Sequence, residues 1–183
     1  KILRVKSNPA YLFLGFALLT STYGIFINQL LFSGLIFQYP YLFKTASPFH
    51  YVSAPLYYLF VVFLLHPKRG FRKIDLIHFL PFILHLIELL PFYLSSNAVK
   101  LELLNDLMLN KIKYTESNNG LFSVQQHFIL KYSISILYFI YLLYVIKPLQ
   151  FLKKEKQPFY QKNKLLLNWV IIENFVKIII HIN

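Results

Sequence analysis

The apolar stretch DLIHFLPFILHLIELLPFYL at residues 75–94 carries His78, His85 and Glu88 in its interior. His78 and His85 are seven residues apart, close to two helical turns, which places them on nearly the same face. Glu88 follows His85 at i+3 and is within reach of it. A histidine beside a carboxylate can contact a ligand or sense protons, and it can also be a polar contact that joins helices. Both interpretations stay open for His85 and Glu88, whereas for His78 we favour a cap or an interfacial hydrogen bond.

Lys131, Glu173 and Lys177 are charged residues within the later apolar stretches. At the centre of a bilayer such a side chain costs about 2.5–3.5 kcal/mol, so each one needs a partner. Glu173 and Lys177 stand at i and i+4, the favoured order for an ion pair along one helix. We therefore predict that Glu88 neutralises Lys131 across helices, with His85 forming a hydrogen bond nearby.

No catalytic motif accompanies these residues. The sequence has no cysteine, only 5 glycines, and none of the HExxH, GxSxG or phosphate-binding glycine-loop patterns. The spacing of His85 and Glu88 alone is too common to indicate a metal site. We predict a protein that is not an enzyme and that uses no metal and no cofactor.

The elements that must position these side chains are apolar helices. Of the 183 residues 57% are hydrophobic and 14% are charged, and the mean hydropathy is +0.52, above that of ordinary water-soluble domains. Crossing about 30 Å of hydrocarbon takes roughly 20 helical residues. Apolar runs of about this length occupy residues 9–37, 49–66, 75–94, 122–146 and 165–182. The expected fold is all-α: one polytopic transmembrane helical bundle of about five spans, formed by residues 1–183.

Prolines and one long connection add detail to this prediction. Pro55, Pro81 and Pro91 each remove a backbone hydrogen bond, so we expect helix bends at all three. Residues 95–120 form an outer loop in which LELLNDLML predicts a short amphipathic helix, lying on the bilayer or over the bundle. The apolar side of that helix carries Leu101, Leu104, Leu107 and Met108.

Basic residues alternate between the connections, and they account for most of the net charge of +12. Thirteen lie at the N-terminus and in the second and fourth connections: Lys1, Arg4, Lys6, Lys68, Arg69, Arg72, Lys73, Lys147, Lys153, Lys154, Lys156, Lys162 and Lys164. The first and third connections carry only Lys44, Lys100, Lys111 and Lys113. Because basic loops are retained in the cytoplasm, the Lys1 end is predicted to be cytoplasmic and the Asn183 end external. Basic clusters can bind nucleic acid, but between apolar spans they more often touch anionic lipid headgroups.

The order of motifs in residues 38–94 carries a family resemblance. A tyrosine–proline pair, Tyr39 and Pro40, follows the first span, and PLYYL at residues 55–59 lies in the second. A basic loop and then LIHFLPF at residues 76–82 open the third. The stretch resembles the membrane-spanning N-terminal domain of Bacteroidetes-type AraC-family (helix-turn-helix) transcriptional regulators. KNKLLLNWVIIENFVKIII at residues 162–180 is similar to the penultimate span of that family.

The resemblance implies a seven-span domain in the bacterial inner membrane, with a DNA-binding domain on its cytoplasmic side. Residues 1–183 would then be a fragment of that domain, and DNA would be contacted only through a domain that is absent from them. The expected function is a membrane-embedded sensor, a signal-input module. The alternative is a non-catalytic integral membrane subunit that docks partner proteins in a larger complex. Membrane lipids are the expected partners, together with further copies of the chain or other membrane proteins.

Overall fold

The computed structural model describes residues 9–109, 122–147 and 157–182, and over these residues the protein is helical without strands. The α-helices are α1 Ala10–Phe32, α2 Phe49–Leu65, α3 Leu80–Glu88, α4 Leu90–Leu94, α5 Asn97–Leu109, α6 Val124–Ile146 and α7 Gln157–Ile182. Three 3₁₀ helices are Leu35–Gln38, Pro40–Leu42 and Lys73–Phe79. The predicted all-α class is confirmed for the part of the chain that the structure describes.

Two helices within the described ranges, α1 and α6, are long and apolar enough to cross a membrane. Each has 23 residues, which corresponds to about 35 Å at 1.5 Å per residue. Helix α2 is apolar but has 17 residues, and the 26 residues of α7 include Lys162, Lys164, Glu173 and Lys177. The expectation of five spans is therefore not confirmed.

The expected third span, residues 75–94, is not one helix. A 3₁₀ helix, Lys73–Phe79, comes first, and α3 and α4 follow it almost end to end. Pro81 and Pro91 lie in the first turns of α3 and α4, where a missing backbone N–H leaves no helical hydrogen bond unmade. At these two prolines the chain starts new helices instead of bending one, whereas Pro55 lies inside the uninterrupted α2.

The main hydrophobic core lies at one end of the bundle. There the start of α1 meets the last turns of α2 and α6 and the first half of α7. The buried side chains include Ala10, Phe13, Leu59, Phe60, Phe63, Leu64, Leu142, Ile146, Tyr160 and Leu167. Helix α1 packs along α2, α2 packs against α6, and α6 packs against α7. This shared core fixes how the helices are aligned, and hence which polar residues face each other further along them.

A second, smaller core lies at the opposite end, beyond the last turns of α1. Its buried members are Ile36, Phe43, Phe92 and Leu104. Leu104 belongs to α5, so the helix predicted within the outer loop is confirmed. Leu101 and Leu107 pack beside it, and Met108 is exposed. Residues 110–120 of that loop lie outside the described residues.

Candidate functional site

A cavity of about 290 Å³ lies between the two cores. Helices α1, α3 and α6 line it, together with the connection from α1 to α2 and the first turn of α2. Its polar lining consists of Asn28, Lys44, Ser47, His50, His85, His127 and Lys131. Two of these side chains, His85 and Lys131, are among the predicted site residues. The cavity is thus an apolar space with several ionisable groups on its wall.

The carboxylate of Glu88 joins two histidines from different helices. Its Oε2 lies 3.0 Å from Nδ1 of His85, which is on the same helix α3. Its Oε1 lies 3.1 Å from Nε2 of His127 on α6, and it accepts a hydrogen bond of 2.9 Å from the backbone N–H of Phe122. The centroids of the two imidazole rings are 4.4 Å apart. Both carboxylate oxygens of Glu88 therefore have partners, and the contacts of Oε1 link α3 to the start of α6.

The remaining ring nitrogens of the two histidines are hydrogen bonded as well. Nε2 of His85 lies 2.9 Å from Oγ of Ser47, and Nδ1 of His127 lies 2.8 Å from the hydroxyl of Tyr51. Tyr51 is fully buried, and its ring centroid is 4.7 Å from that of His85. Both imidazoles are thus held at two nitrogens, so neither ring can rotate without breaking a buried contact.

Lys131 reaches the cluster indirectly. Its Nζ donates a hydrogen bond of 3.2 Å to Oγ of Ser47 and lies 5.5 Å from the ring centroid of Tyr51. Among the contacts of the described residues, Glu88 and Lys131 do not form an ion pair within 4.0 Å. The two histidines occupy the carboxylate, so the predicted pair is not in contact, although the negative charge of Glu88 still acts on Lys131 from nearby. The accompanying prediction of a hydrogen bond from His85 is confirmed.

Glu173 and Lys177 form their predicted pair elsewhere, on α7, with Nζ and Oε1 3.3 Å apart. Lys177 also donates to Ser21 at 2.7 Å and to Ser53 at 3.1 Å. These groups line a second cavity of about 340 Å³ between α1, α2, α6 and α7. Asn28 and His50 line both cavities, so the two polar spaces are neighbours.

His78 belongs to a third location, toward the main core. Its Nδ1 is hydrogen bonded to the hydroxyl of Tyr138, and its ring lies 5.3 Å from that of Tyr58. His85 likewise lies against α2 and α6, through Tyr51 and His127, so the two histidines face the same pair of helices as predicted, although the chain between them is not one helix. Nearby, the buried Asp75 pairs with Arg69 and accepts a hydrogen bond from the backbone N–H of Arg72.

Sequence reasoning missed three members of the cluster: His127, Ser47 and Tyr51. His127 precedes Lys131 by four residues, which puts both side chains on one face of α6. That spacing was the available signal, since a second polar residue one turn from a lysine in an apolar helix indicates a polar helix face. Ser47, just before α2, and Tyr51, in its first turn, show the same i, i+4 spacing, but ordinary hydroxyl residues give no signal by themselves.

Lys44 lies on the cavity wall in the connection between α1 and α2. Its backbone has a φ of 63°, the left-handed region that few residues other than glycine adopt. Its ammonium group lies 5.1 Å from the ring centroid of Phe92. Burial lowers the pKa of Lys44 to about 8, and the negative charge of Glu88 opposes that shift. A second cation thus faces the space occupied by the Glu88 cluster.

Comparisons with protein-family models, with curated protein sequences and with solved structures found no match to this chain. The resemblance to the membrane domain of AraC-family regulators therefore stays a prediction. The chemistry of the site is what bears on function: two imidazoles and one carboxylate converge, two ammonium groups flank them, and an open space adjoins them. Such a wall can bind a small polar molecule or an ion.

Proposed function

We propose that this chain is a membrane-embedded sensor module. In this proposal the cavity takes up an external or lipid-borne ligand, and the bundle passes a conformational change to its opposite, basic end. The observation that carries the proposal is the cavity itself, whose wall combines His85, His127 and Lys131 with a free volume of about 290 Å³.

The surfaces of α1 and α6 support a membrane location. Within the most apolar 18-residue stretch of each helix, only 22% and 17% of the residues are buried. Large apolar side chains such as Leu19, Phe32 and Ile129 are more than half exposed. An apolar helix in a water-soluble core would be buried, so exposed surfaces of this kind fit contact with lipid.

The distribution of charge supports the proposed orientation. Lys68, Arg69, Arg72 and Lys73 follow α2, and Lys147 follows α6, so these residues lie at the end of the bundle that holds the main core. The end with the smaller core carries Lys44 and Lys100, and the acidic Glu102 and Asp106 lie on α5. We propose that the basic end faces the cytoplasm, in accord with the retention of basic loops there.

A free volume beside the polar cluster favours a sensor over a purely structural contact. Polar residues that only join helices are packed against each other, because protein interiors leave few voids larger than a water molecule. Here the ionisable groups are satisfied and still border an open space.

Helices α2 and α6 connect the cavity with the opposite end. The first turn of α2 carries Tyr51 and its last turns carry Phe63, while α6 carries His127 near its start and Ile146 at its end. Each helix has residues in both the cluster and the main core, so a shift at the cavity can move the basic end. If a DNA-binding domain follows, as the family resemblance implies, it would receive this movement.

The test uses the whole chain, reconstituted in lipid nanodiscs, with spin labels on cysteines introduced at Lys68 and Lys147. Both positions are exposed at the basic end, and the chain has no native cysteine. The distance between the labels is measured by double electron–electron resonance with a panel of divalent metal chlorides, amino acids and sugars. We expect at least one compound to change the distance, and His85→Gln to abolish the change.

The matched control is His66→Gln, which alters an exposed histidine outside the cavity and should leave the response intact. If no compound changes the distance, or if the change survives in the His85→Gln protein, the cavity is not the input site. Such a result would favour the alternative, a membrane subunit that docks other proteins.

A further inference from the structure

We propose that His85, Glu88 and His127 form a binding site for a transition-metal ion of the Zn²⁺ type. As a statement of what the sensor detects, this inference rests on the proposed function. The binding of the ion itself rests only on the geometry of the three side chains.

The distances between the three ligand groups suit one ion. Nδ1 of His85, Nε2 of His127 and a carboxylate oxygen of Glu88 all lie within 4.8 Å of one another. The two nitrogen–oxygen separations are 3.0 and 3.1 Å. In a tetrahedral Zn²⁺ site with bonds near 2.1 Å, neighbouring ligand atoms are roughly 3.4 Å apart. An ion between the three groups would therefore require the nitrogen–oxygen pairs to open by a few tenths of an ångström, and the ligand atoms that lie up to 4.8 Å apart to move closer together.

The groups behind the ligands match what metal-bound histidines require. Such histidines almost always hydrogen bond through their second nitrogen, which fixes the ring and its tautomer. Here Nε2 of His85 is hydrogen bonded to Ser47, and Nδ1 of His127 is hydrogen bonded to Tyr51. The backbone N–H of Phe122 holds the carboxylate of Glu88 in the same way. The site thus has both its ligands and the contacts that orient them.

Metal binding needs no ionised imidazole. Each neutral ring carries one proton, which can lie on the nitrogen toward Glu88 or on the nitrogen away from it. With an ion bound, that proton lies on Nε2 of His85, donating to Ser47, and on Nδ1 of His127, donating to Tyr51. The ion then takes the places of the two protons that otherwise face the carboxylate, and each ring stays neutral.

The position of the site makes it reachable from one side of the membrane. His127 is the fourth residue of α6, and Phe122, whose N–H contacts Glu88, is exposed and lines the cavity. The site lies at the end of the bundle away from the basic loops. An ion would enter from the side that we propose to be external, without crossing the apolar interior.

The ligand set selects the class of ion. Two imidazole nitrogens and one carboxylate suit Zn²⁺ and neighbouring transition metals, whereas Mg²⁺ and Ca²⁺ prefer shells made of oxygen. Three protein ligands with a fourth position toward a cavity leave room for water or an anion. Lys131 and Lys44 on the same wall oppose a dication, and they would attract an anion that completes the coordination.

The experiment measures Zn²⁺ binding to the whole chain in lipid nanodiscs by isothermal titration calorimetry with zinc chloride. We expect one ion per chain, no binding of magnesium chloride, and at least about 100-fold weaker Zn²⁺ binding in Glu88→Gln and in His127→Gln. His66→Gln is the matched control and should bind as the unaltered protein does. Thermal unfolding is recorded alongside, since an ion that binds only the folded state raises Tm.

Saturable binding that His127→Gln leaves unchanged would overturn the assignment, and so would the absence of binding to the unaltered protein. Should Glu88→Gln fail to fold, His127→Gln decides, because His127 lies at the rim and its loss opens no deep void. Zn²⁺ binding without a change in the label distance would leave the metal site standing and refute zinc as the sensed ligand. A distance change caused by another compound, with no Zn²⁺ binding, would refute the metal site alone.

Discussion

Glu88 links α3 to α6 through Oε1, which contacts His127, while its Oε2 contacts His85 on α3 itself. The sequence pointed to His85 and Glu88 because they are ionisable residues in an apolar stretch. It pointed to the wrong partner, because an isolated lysine and an isolated glutamate suggest an ion pair. Which residue of another helix Glu88 meets depends on how α3 is rotated about its own axis. The chain breaks from a 3₁₀ helix into α3 at Leu80, so the spacing along one continuous helix does not give that rotation.

Tyr51 offers a test of the contacts behind the metal ligands. Tyr51→Phe removes the hydroxyl that holds Nδ1 of His127 and leaves the buried ring in place. We expect Zn²⁺ affinity to fall about 10- to 100-fold, the usual effect of losing such a partner. Titration calorimetry in nanodiscs measures it, and Tyr144→Phe, at an exposed tyrosine on α6, is the control. Equal affinities in the two variants would show that Tyr51 does not orient the ligand.

At the scale of elements, α5 covers the end of the bundle where the cavity lies. Its apolar side was predicted from the pattern in LELLNDLML, since spacing along a helix is a local property. The packing of Leu104 against Ile36, Phe43 and Phe92 was not predictable. This packing depends on the two 3₁₀ helices after α1. They have only three or four residues each, too few to show a periodic pattern in the sequence.

Leu104→Ala tests how firmly α5 is held. Leu104 is 0% exposed, so its truncation leaves a void, and we expect a loss of about 2–5 kcal/mol in the free energy of unfolding. Met108→Ala, on the exposed side of α5, should cost much less. Equilibrium unfolding in mixed micelles, followed by circular dichroism, compares the two variants. Similar costs would mean that α5 is not packed on the bundle.

The third predicted span shows a different limit at the same scale. Its hydropathy is high enough for a membrane helix, and the sequence predicts a bend at Pro81 and at Pro91. Proline in a first turn starts a helix, whereas proline in an interior distorts one. Which role applies depends on where the preceding helix ends, and here it ends before each proline.

At the scale of the whole molecule, the charge asymmetry predicts which end faces the cytoplasm. Lys68→Cys at the basic end and Ser96→Cys at the other end are both exposed positions. In intact cells an impermeant maleimide should label Ser96→Cys, and it should label Lys68→Cys only after permeabilisation. The unaltered chain, which has no cysteine, gives the background. Labelling of both cysteines from the same side would contradict the proposed orientation.

The sequence alone determined the helical class, the apolar character of α1 and α6, the ion pair of Glu173 with Lys177 and the presence of a helix in the loop after Leu94. Each of these depends on residues within a few turns of one helix, where spacing translates directly into position. Only the tertiary structure decided that His85, Glu88 and His127 meet. It also decided that Lys131 reaches them indirectly and that a cavity adjoins them. The hydrogen bonds of the cluster join residues up to 84 positions apart, and the relative rotation and alignment of separate helices come from packing in the two cores.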